Sequence, residues 1–539
     1  MSVLKAASSR QYDAVIVGGG HNGLVAAAYL AKSGLSVCVL ERRYVVGGAC
    51  VTEELSHGFK VSTAAYVNSL FRPEIIRELR LRDFGLELLE RNPSSFTPFP
   101  DGRYLFLGPD QAMNRGEISK FSDRDASRFS EYEAMLNRMA DFVEPTLLRT
   151  PPDPLSSNPR DLLSLARLAK GFRGLGGDGY GLIEMLSMSA WELLDRWFES
   201  EELKVTLATD GIIGTMAGPL TPGTAYVLFH HVMGETNGAR GVWAYVKGGM
   251  GALTAALAQS AESFGATIRR NAPVTQILTE NGRAVGVRLE SGEVVSARIV
   301  VSNADANVTF RKLVNETELP SDFLRGVKQI DYSSGSAKIN VLLNEPPKFE
   351  ALQSDGVGPQ HRGTIHISPS LDYMQRAWEE AEQGRPSANP ILEITLPSAI
   401  DPTIAPPGKH VMGMFVQYAP YSPRDGEWSE ASKDAFADRC LDILAGYAPN
   451  TRESVIQRQI LMPTDIEREF ALTGGNIFQG AMHLNQLLFM RPLPRWAKYR
   501  TPVRGLYLCG ACTHPGGGVM GACGHNAAAE VLRDLRRRI

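Results

Sequence analysis

The chain has 539 residues, 43% of them hydrophobic, and its 56 Lys and Arg against 59 Asp and Glu leave a net charge of −3. That length exceeds what one hydrophobic core usually fills, so two or three domains are expected, and the near-neutral balance excludes a general electrostatic affinity for nucleic acid or an anionic membrane. Six irregularly spaced cysteines do not form a secreted disulfide framework, and no run of about eighteen apolar residues is present to span a bilayer. Met1 to Arg10 has no apolar core of signal-peptide length, which sets the expectation of a cytoplasmic location, or the mitochondrial matrix if the source is eukaryotic. Peripheral membrane contact and a homo-oligomer are left open.

Tyr12 to Val17 is a short β-branched apolar run, suited to a strand buried on both faces of a parallel sheet. It leads into Gly18-Gly-Gly20-His21-Asn22-Gly23, and the alanine-rich stretch from Leu24 to Lys32 has helical character. Strand, G-x-G-x-x-G and helix in that order form a dinucleotide site. Gly18 allows the tight turn, Gly20 lets a pyrophosphate reach the backbone, and Gly23 lets helix and strand pack closely. The helix start offers free N–H groups and a partial positive charge to the phosphates. A second strand, Ser36 to Leu40, ends at Glu41, eighteen residues beyond Gly23. A carboxylate there accepts hydrogen bonds from ribose hydroxyls and repels a 2′-phosphate. Arg42 and Arg43 follow, then Gly47-Gly48-Ala49. A glycine pair just after the ribose acid resembles the second fingerprint of glutathione-reductase-like folds and tilts the choice from NAD to FAD.

Two signals point elsewhere and fail on context. Gly174 to Gly179 also fits G-x-G-x-x-G, but a basic, helix-like run, Leu162 to Lys170, precedes it where a buried strand is needed, so it reads as a flexible loop. Cys50 follows a Gly-Gly-x pattern that flavin disulfide reductases complete with a second cysteine five residues later, and that position is Leu55. One thiol cannot run a dithiol relay. Cys509 and Cys512 form C-x-x-C without a second ligand pair, so no metal is expected.

Further along, Gly248-Gly-Met-Gly leads into an alanine-rich helix ending near Gly265, then a strand, Ala266 to Asn271. A hairpin is expected from Val274 to Leu278 and Ala284 to Leu289 around Asn281-Gly282, followed by the apolar run from Ile299 toward Asp305. Val274 is the candidate for backbone contact with the adenine edge. Near the end, Leu506 to Leu508 is another buried strand, Gly510 to Gly524 is rich in glycine, and an apolar helix follows, ending in Arg536 to Arg538. A second glycine-rich helix start can hold a ribityl chain and stabilise negative charge at the pyrimidine end of a reduced flavin ring. Gly510, Gly518, Val519 and Met520 are the candidates there.

On these residues the chain resembles the phytoene desaturase and carotenoid isomerase branch of the flavin amine oxidase superfamily. Gly18 to Gly48, Gly248-Gly-Met-Gly, Leu506 to Gly510 with Thr513-His514-Pro515, and Gly474 to Phe478 with Gln486, Phe489, Arg491 and Pro492 carry the likeness. Blocks such as Trp197 to Ser200, Leu207 to Asp210 and His230 to Gly234 extend it nearly end to end. The resemblance also singles out Lys338, in Gly335-Ser-Ala-Lys338-Ile-Asn-Val341, as matching the strand lysine that holds a water at flavin N5 in flavin amine oxidases. A buried ammonium there needs a cavity, a partner or a lowered pKa; the alternative is a lysine on the solvated face of an edge strand. A paired aromatic cage for an amine is not identifiable in the sequence.

The expected architecture is α/β: a Rossmann-like FAD domain of glutathione-reductase-like type, interleaved with a mixed-sheet and helical substrate domain. Residues 1–85, 241–306 and 495–539 are assigned to the FAD domain, and 86–240 and 307–494 to the substrate domain. Helices at Asp210 to Met216 and Tyr226 to Met233 are expected to line an apolar tunnel or serve as core, and His230, His231, His366 and His483 are acid–base candidates. The expected activity is an FAD-dependent dehydrogenase or desaturase. Its small apolar substrate gives hydride to flavin N5, and oxygen, a quinone or another diffusible acceptor reoxidises the cofactor. Two other readings stay open: a redox-neutral isomerase needing reduced flavin, and a flavoprotein acting mainly as a protein-binding regulator, which a closed cap without a tunnel would favour.

Overall fold

The structure, a computed structural model, describes residues 11–536. Gln11–Val17, buried from Ala14 onward, lies between two parallel neighbours, Val37–Leu40 and Val294–Ser302. Thr267–Arg269 extends the sheet beyond Val37–Leu40. On the far side, the free edge of Val294–Ser302 is shared end to end. Residues 294–296 pair antiparallel with Arg283–Leu289, and residues 300–302 pair parallel with Leu506–Leu508. The hairpin partner Val274–Glu280 closes a seven-stranded sheet. Its turn places Asn281 at φ 52° and Gly282 at φ 69°, the left-handed pair that matches strand twist.

Both faces of this sheet are covered. Helices His21–Lys32, Met250–Ser263 and Ala522–Arg536 pack on one face, with His21–Lys32 touching both of the others, and small side chains, Ala26 to Ala28, Ala258, Ala527 and Ala528, lie in their shared core. Phe310, Phe323 and Val327 pack on the other. Apolar runs without alternation are the consequence of two-sided burial.

A second seven-stranded sheet runs in the order Val455–Leu461, Ser336–Leu343, His410–Gln417, Ile391–Thr395, Thr364–Ile367, Ser95–Pro98, Tyr104–Leu107, antiparallel except where Thr364–Ile367 meets Ser95–Pro98. Here residues alternate strictly. Ile339, Val341, Ile365, Ile394, Met412 and Met414 pack with Phe436 and Leu441 of helix Glu430–Ala445, while Lys338, Thr364, His366, Glu393 and Phe415 line a cavity. Helices Asp123–Leu147, Glu201–Ile212 and Thr224–Val232 form an apolar layer over that cavity.

Two expectations are corrected. The helix expected at Asp210 to Met216 is instead Glu201–Ile212; Glu201 and Glu202 favour its N-terminal turn, and Gly214, at φ 75°, lies in the turn beyond it. The loop expected at Gly174 to Gly179 is a tight junction between helices Pro159–Gly174 and Asp178–Met185, with no strand before it. Among the described residues no helix is long and apolar enough to cross a membrane. The readings of Met1 to Arg10 and of Arg537 and Arg538 lie outside the described residues.

Candidate active site

A cavity of about 1000 Å³ runs from the glycine turns of the first sheet to the open face of the second. Gly18, Gly20, His21, Asn22, Glu41, Arg42, Arg43, Gly47, Gly48, Ala49 and Val274 line it at one end, joined by Gly518 and Val519 from the C-terminal loop. Segments from the start and the finish of the chain therefore meet on one void.

The turn geometry fits a dinucleotide. Gly18 sits at φ 93°, and a Cβ on Gly20 would stand 2.6 Å from Asn303 Nδ2, so only backbone fits between the turn and Asn303. Gly20 bridges Gly47, bringing the two glycine turns together. Helix His21–Lys32 starts at Gly20 with no side chain capping its N–H groups. Glu41 is buried and fixed by the N–H groups of Gly19 and Arg43, each 2.8 Å away on separate carboxylate oxygens, which leaves each oxygen a further acceptor site. Beside it, Arg43 pairs with Glu53 and Glu469, while its buried Nη1 has no partner. Gly23, Gly510 and Met520 are not on the cavity wall. Gly23 packs against the carbonyl of Gly18, a Cβ on Gly510 would meet Gln479 and the backbone of Asn303, and Met520 is buried in the helical layer.

The other end is built by register. His366 pairs with Glu393, Glu393 with Phe415, and Phe415 with Lys338, on four adjacent strands. This transverse row forms the cavity floor, and all four residues line it. Lys338 is buried on an interior strand, flanked by Val455–Leu461 and His410–Gln417, so the solvated edge-strand alternative does not hold. Its Nζ donates to Asn340 Oδ1 at 2.8 Å and lies 5.1 Å from the centre of the Tyr66 ring. Space for the ammonium comes from Gly413, where a Cβ would stand 2.5 Å from Nζ. Burial lowers the Lys338 pKa to about 7. Glu393, also buried, is raised by desolvation to about 7 and accepts a 2.6 Å hydrogen bond from Tyr66. Tyr66 and Phe415 stand 5.8 Å apart between ring centres, tilted by 31°, so these two rings contact each other and leave no slot between them for an amine.

Several residues that sequence reasoning did not select complete the chamber: Tyr66, Arg91, Asp210, Asn303 and Glu393. Glu393 had a signal, a lone carboxylate inside Ile391 to Thr395, of the same kind that marks Lys338. Of the four acid–base candidates, His231 and His366 line the cavity; burial lowers both, and at about 3 His366 is neutral. His230 bonds the carbonyl of Gly517, His514 that of Thr146, and His483 lies off the cavity beside Asp331. All six cysteines are buried and none is in a disulfide, burial pushes Cys50 up to about 12, and no cluster of metal-ligating side chains occurs among the described residues. Cap helices add an apolar wall: Phe129, Tyr132 and Leu136 from one face of Asp123–Leu147, with Leu207, Leu228 and Val232.

A cradle of glycine turns opening onto a side-chain chamber under a helical cap defines a cofactor-dependent oxidoreductase. Residues 23–532 match the family of flavin containing amine oxidoreductases, and the chain belongs to that family. It is an FAD-dependent oxidoreductase. The chain is 46% identical to pyridine nucleotide-disulfide oxidoreductase domain-containing protein 2 of Mus musculus, over 98% of this chain and 94% of that protein. It is 27% identical to the phytoene desaturase of Neurospora crassa, over 95% of this chain and 83% of that protein. An oxidoreductase from Methanosarcina mazei shares the fold with a TM-score of 0.60 at 16% identity, covering 97% of this chain and 100% of that one.

Proposed function

We propose that the protein is a dehydrogenase or desaturase that removes hydrogen from a small substrate with an apolar body. The observation that carries this reading is the single cavity in which the glycine cradle, the Lys338 floor and the apolar wall of the cap helices meet. The Neurospora relative, named for desaturating phytoene, supports it. Gly18, Gly20, Glu41, Gly47, Gly48, Val274 and Gly518 would hold FAD. Bound there, FAD would supply a two-electron acceptor for hydride, with oxygen, a quinone or another diffusible acceptor as the final oxidant.

The chain's own residues do the rest. Leu207, Leu228, Val232 and Phe129 orient an apolar body and exclude water. Lys338, near neutrality in pKa and fixed by Asn340 above Gly413, holds or releases a proton at Nζ. Glu393, held by Tyr66, is a second proton-exchanging group on the same floor.

The test is an anaerobic titration of the purified yellow protein with apolar compounds bearing saturated carbon. Bleaching of the flavin bands, reversed by air, is expected with a substrate. Product formed without bleaching would replace the reading with the isomerase, and a colourless protein that refuses FAD would overturn it.

A further inference from the structure

Arg91 is 3% exposed, yet it lines the cavity. Its Nη1 donates to Thr364 Oγ1 at 2.6 Å, its Nε reaches the carbonyl of Trp243 at 3.4 Å, and the guanidinium lies 5.4 Å from the Tyr245 ring centre. Each of these partners is neutral. Among the described residues no carboxylate forms an ion pair with it. A buried cation whose nearest carboxylates, Asp210 and Glu393, act on it only from beyond ion-pair distance is incompletely compensated, and an anion in direct contact lowers that cost. We propose that Arg91 holds the carboxylate headgroup of the substrate, which is therefore an organic acid with an apolar body. This deepens the dehydrogenase reading above and rests on it for the word substrate.

The surroundings favour a carboxylate over the alternatives. The neutral imidazole of His366 stands on the same cavity wall with a buried Nδ1 that has no partner. Asp210 and Glu393 feel the field of Arg91 and would repel a dianion such as phosphate. Burial raises Asp210 to about 6 and Glu393 to about 7, so their negative charge is already disfavoured there and a single added charge is opposed less than two. An ammonium would meet Arg91 as a like charge, and a pure hydrocarbon would leave the guanidinium unpaired. The planar guanidinium fork matches a carboxylate, and the walls beyond it are Leu107, Leu207 and Val232.

Calorimetric titration of the FAD-loaded protein with octanoate, methyl octanoate and octylamine tests this without turnover. Octanoate is expected to bind, with the ester and the amine weaker by roughly tenfold or more, and Arg91→Met should weaken octanoate by roughly tenfold to a hundredfold while leaving the ester unchanged. If Arg91→Met does not fold, Arg91→Lys, which keeps the charge but loses the fork, should still weaken octanoate measurably. No binding of octanoate, equal binding of the ester or the amine, or octanoate affinity untouched by either variant would overturn the proposal. Octanoate held through Arg91 with no apolar acid able to bleach the flavin would uphold the headgroup site and defeat the dehydrogenase reading instead.

Discussion

In the sheet built on Gln11–Val17, both faces are covered and what reaches the cavity is main chain at glycine turns. In the sheet built on Ser336–Leu343, one face is packed and the other is open, and what reaches the cavity is side chains. The proposed ligands account for the difference. A cofactor shared by many enzymes is met by N–H groups and close backbone approach, which require the absence of side chains. A particular substrate is met by charge, hydrogen bonds and shape, which require specific side chains on rigid strands. Two buried arginines make the same contrast. Arg491 spends its guanidinium on the carbonyls of Phe478, Gly480, Ala481, Gln486 and Ala511 and so ties the C-terminal glycine-rich loop in place. Arg91 keeps its charge for the cavity.

If the first sheet works through empty space, filling that space should be decisive. Gly20→Val should abolish flavin retention, read as the flavin-to-protein absorbance ratio after purification; a fully loaded yellow variant would break the comparison. Arg491→Met should leave several buried carbonyls without donors and lower stability by about 3–5 kcal/mol in denaturant unfolding, with the loss centred on the C-terminal loop.

On the second sheet the effects should be chemical, with flavin retained. Gly413→Ala should displace the Lys338 ammonium from Asn340 and slow flavin reduction or reoxidation by roughly tenfold to a hundredfold, measured by stopped-flow absorbance. Lys338→Met should slow the same steps, and it carries a stability signature. Burial holds Lys338 near 7, below its ordinary 10.5. Between those values the unfolded chain binds a proton that the folded chain does not, so this group makes stability rise with pH across the window. Below about 7 the buried ammonium exacts its full penalty. Removing the lysine should therefore raise the unfolding temperature more at pH 6 than at pH 9; equal shifts would mean the ammonium is not desolvated.

The first sheet was legible because its function is local in sequence. Gly18 to Gly23, Glu41 and Gly47-Gly48 lie within one short segment, and glycine at a positive φ or a close approach is visible as a residue type. The second was legible only at Lys338, through a likeness of family. Glu393, His366 and Phe415 join Lys338 through strand register, which pairs residues far apart in the chain and leaves no local spacing to read. Arg91 was hidden for the same reason: its partners, Trp243 and Thr364, are distant in sequence, and a lone arginine before Asn92-Pro93 looks like a surface loop. Gly413 reads as an unremarkable glycine in a strand until the lysine across the sheet is seen to need its vacancy.

The transverse row has a consequence for how this enzyme can diverge. Because each strand contributes one floor residue at matched height, losing or gaining a single residue within any of them would turn that strand's apolar side toward the substrate and its polar side into the packed layer. Change in what the chamber accepts is thus confined to exchanging side chains in place, while the connecting loops remain free to vary in length.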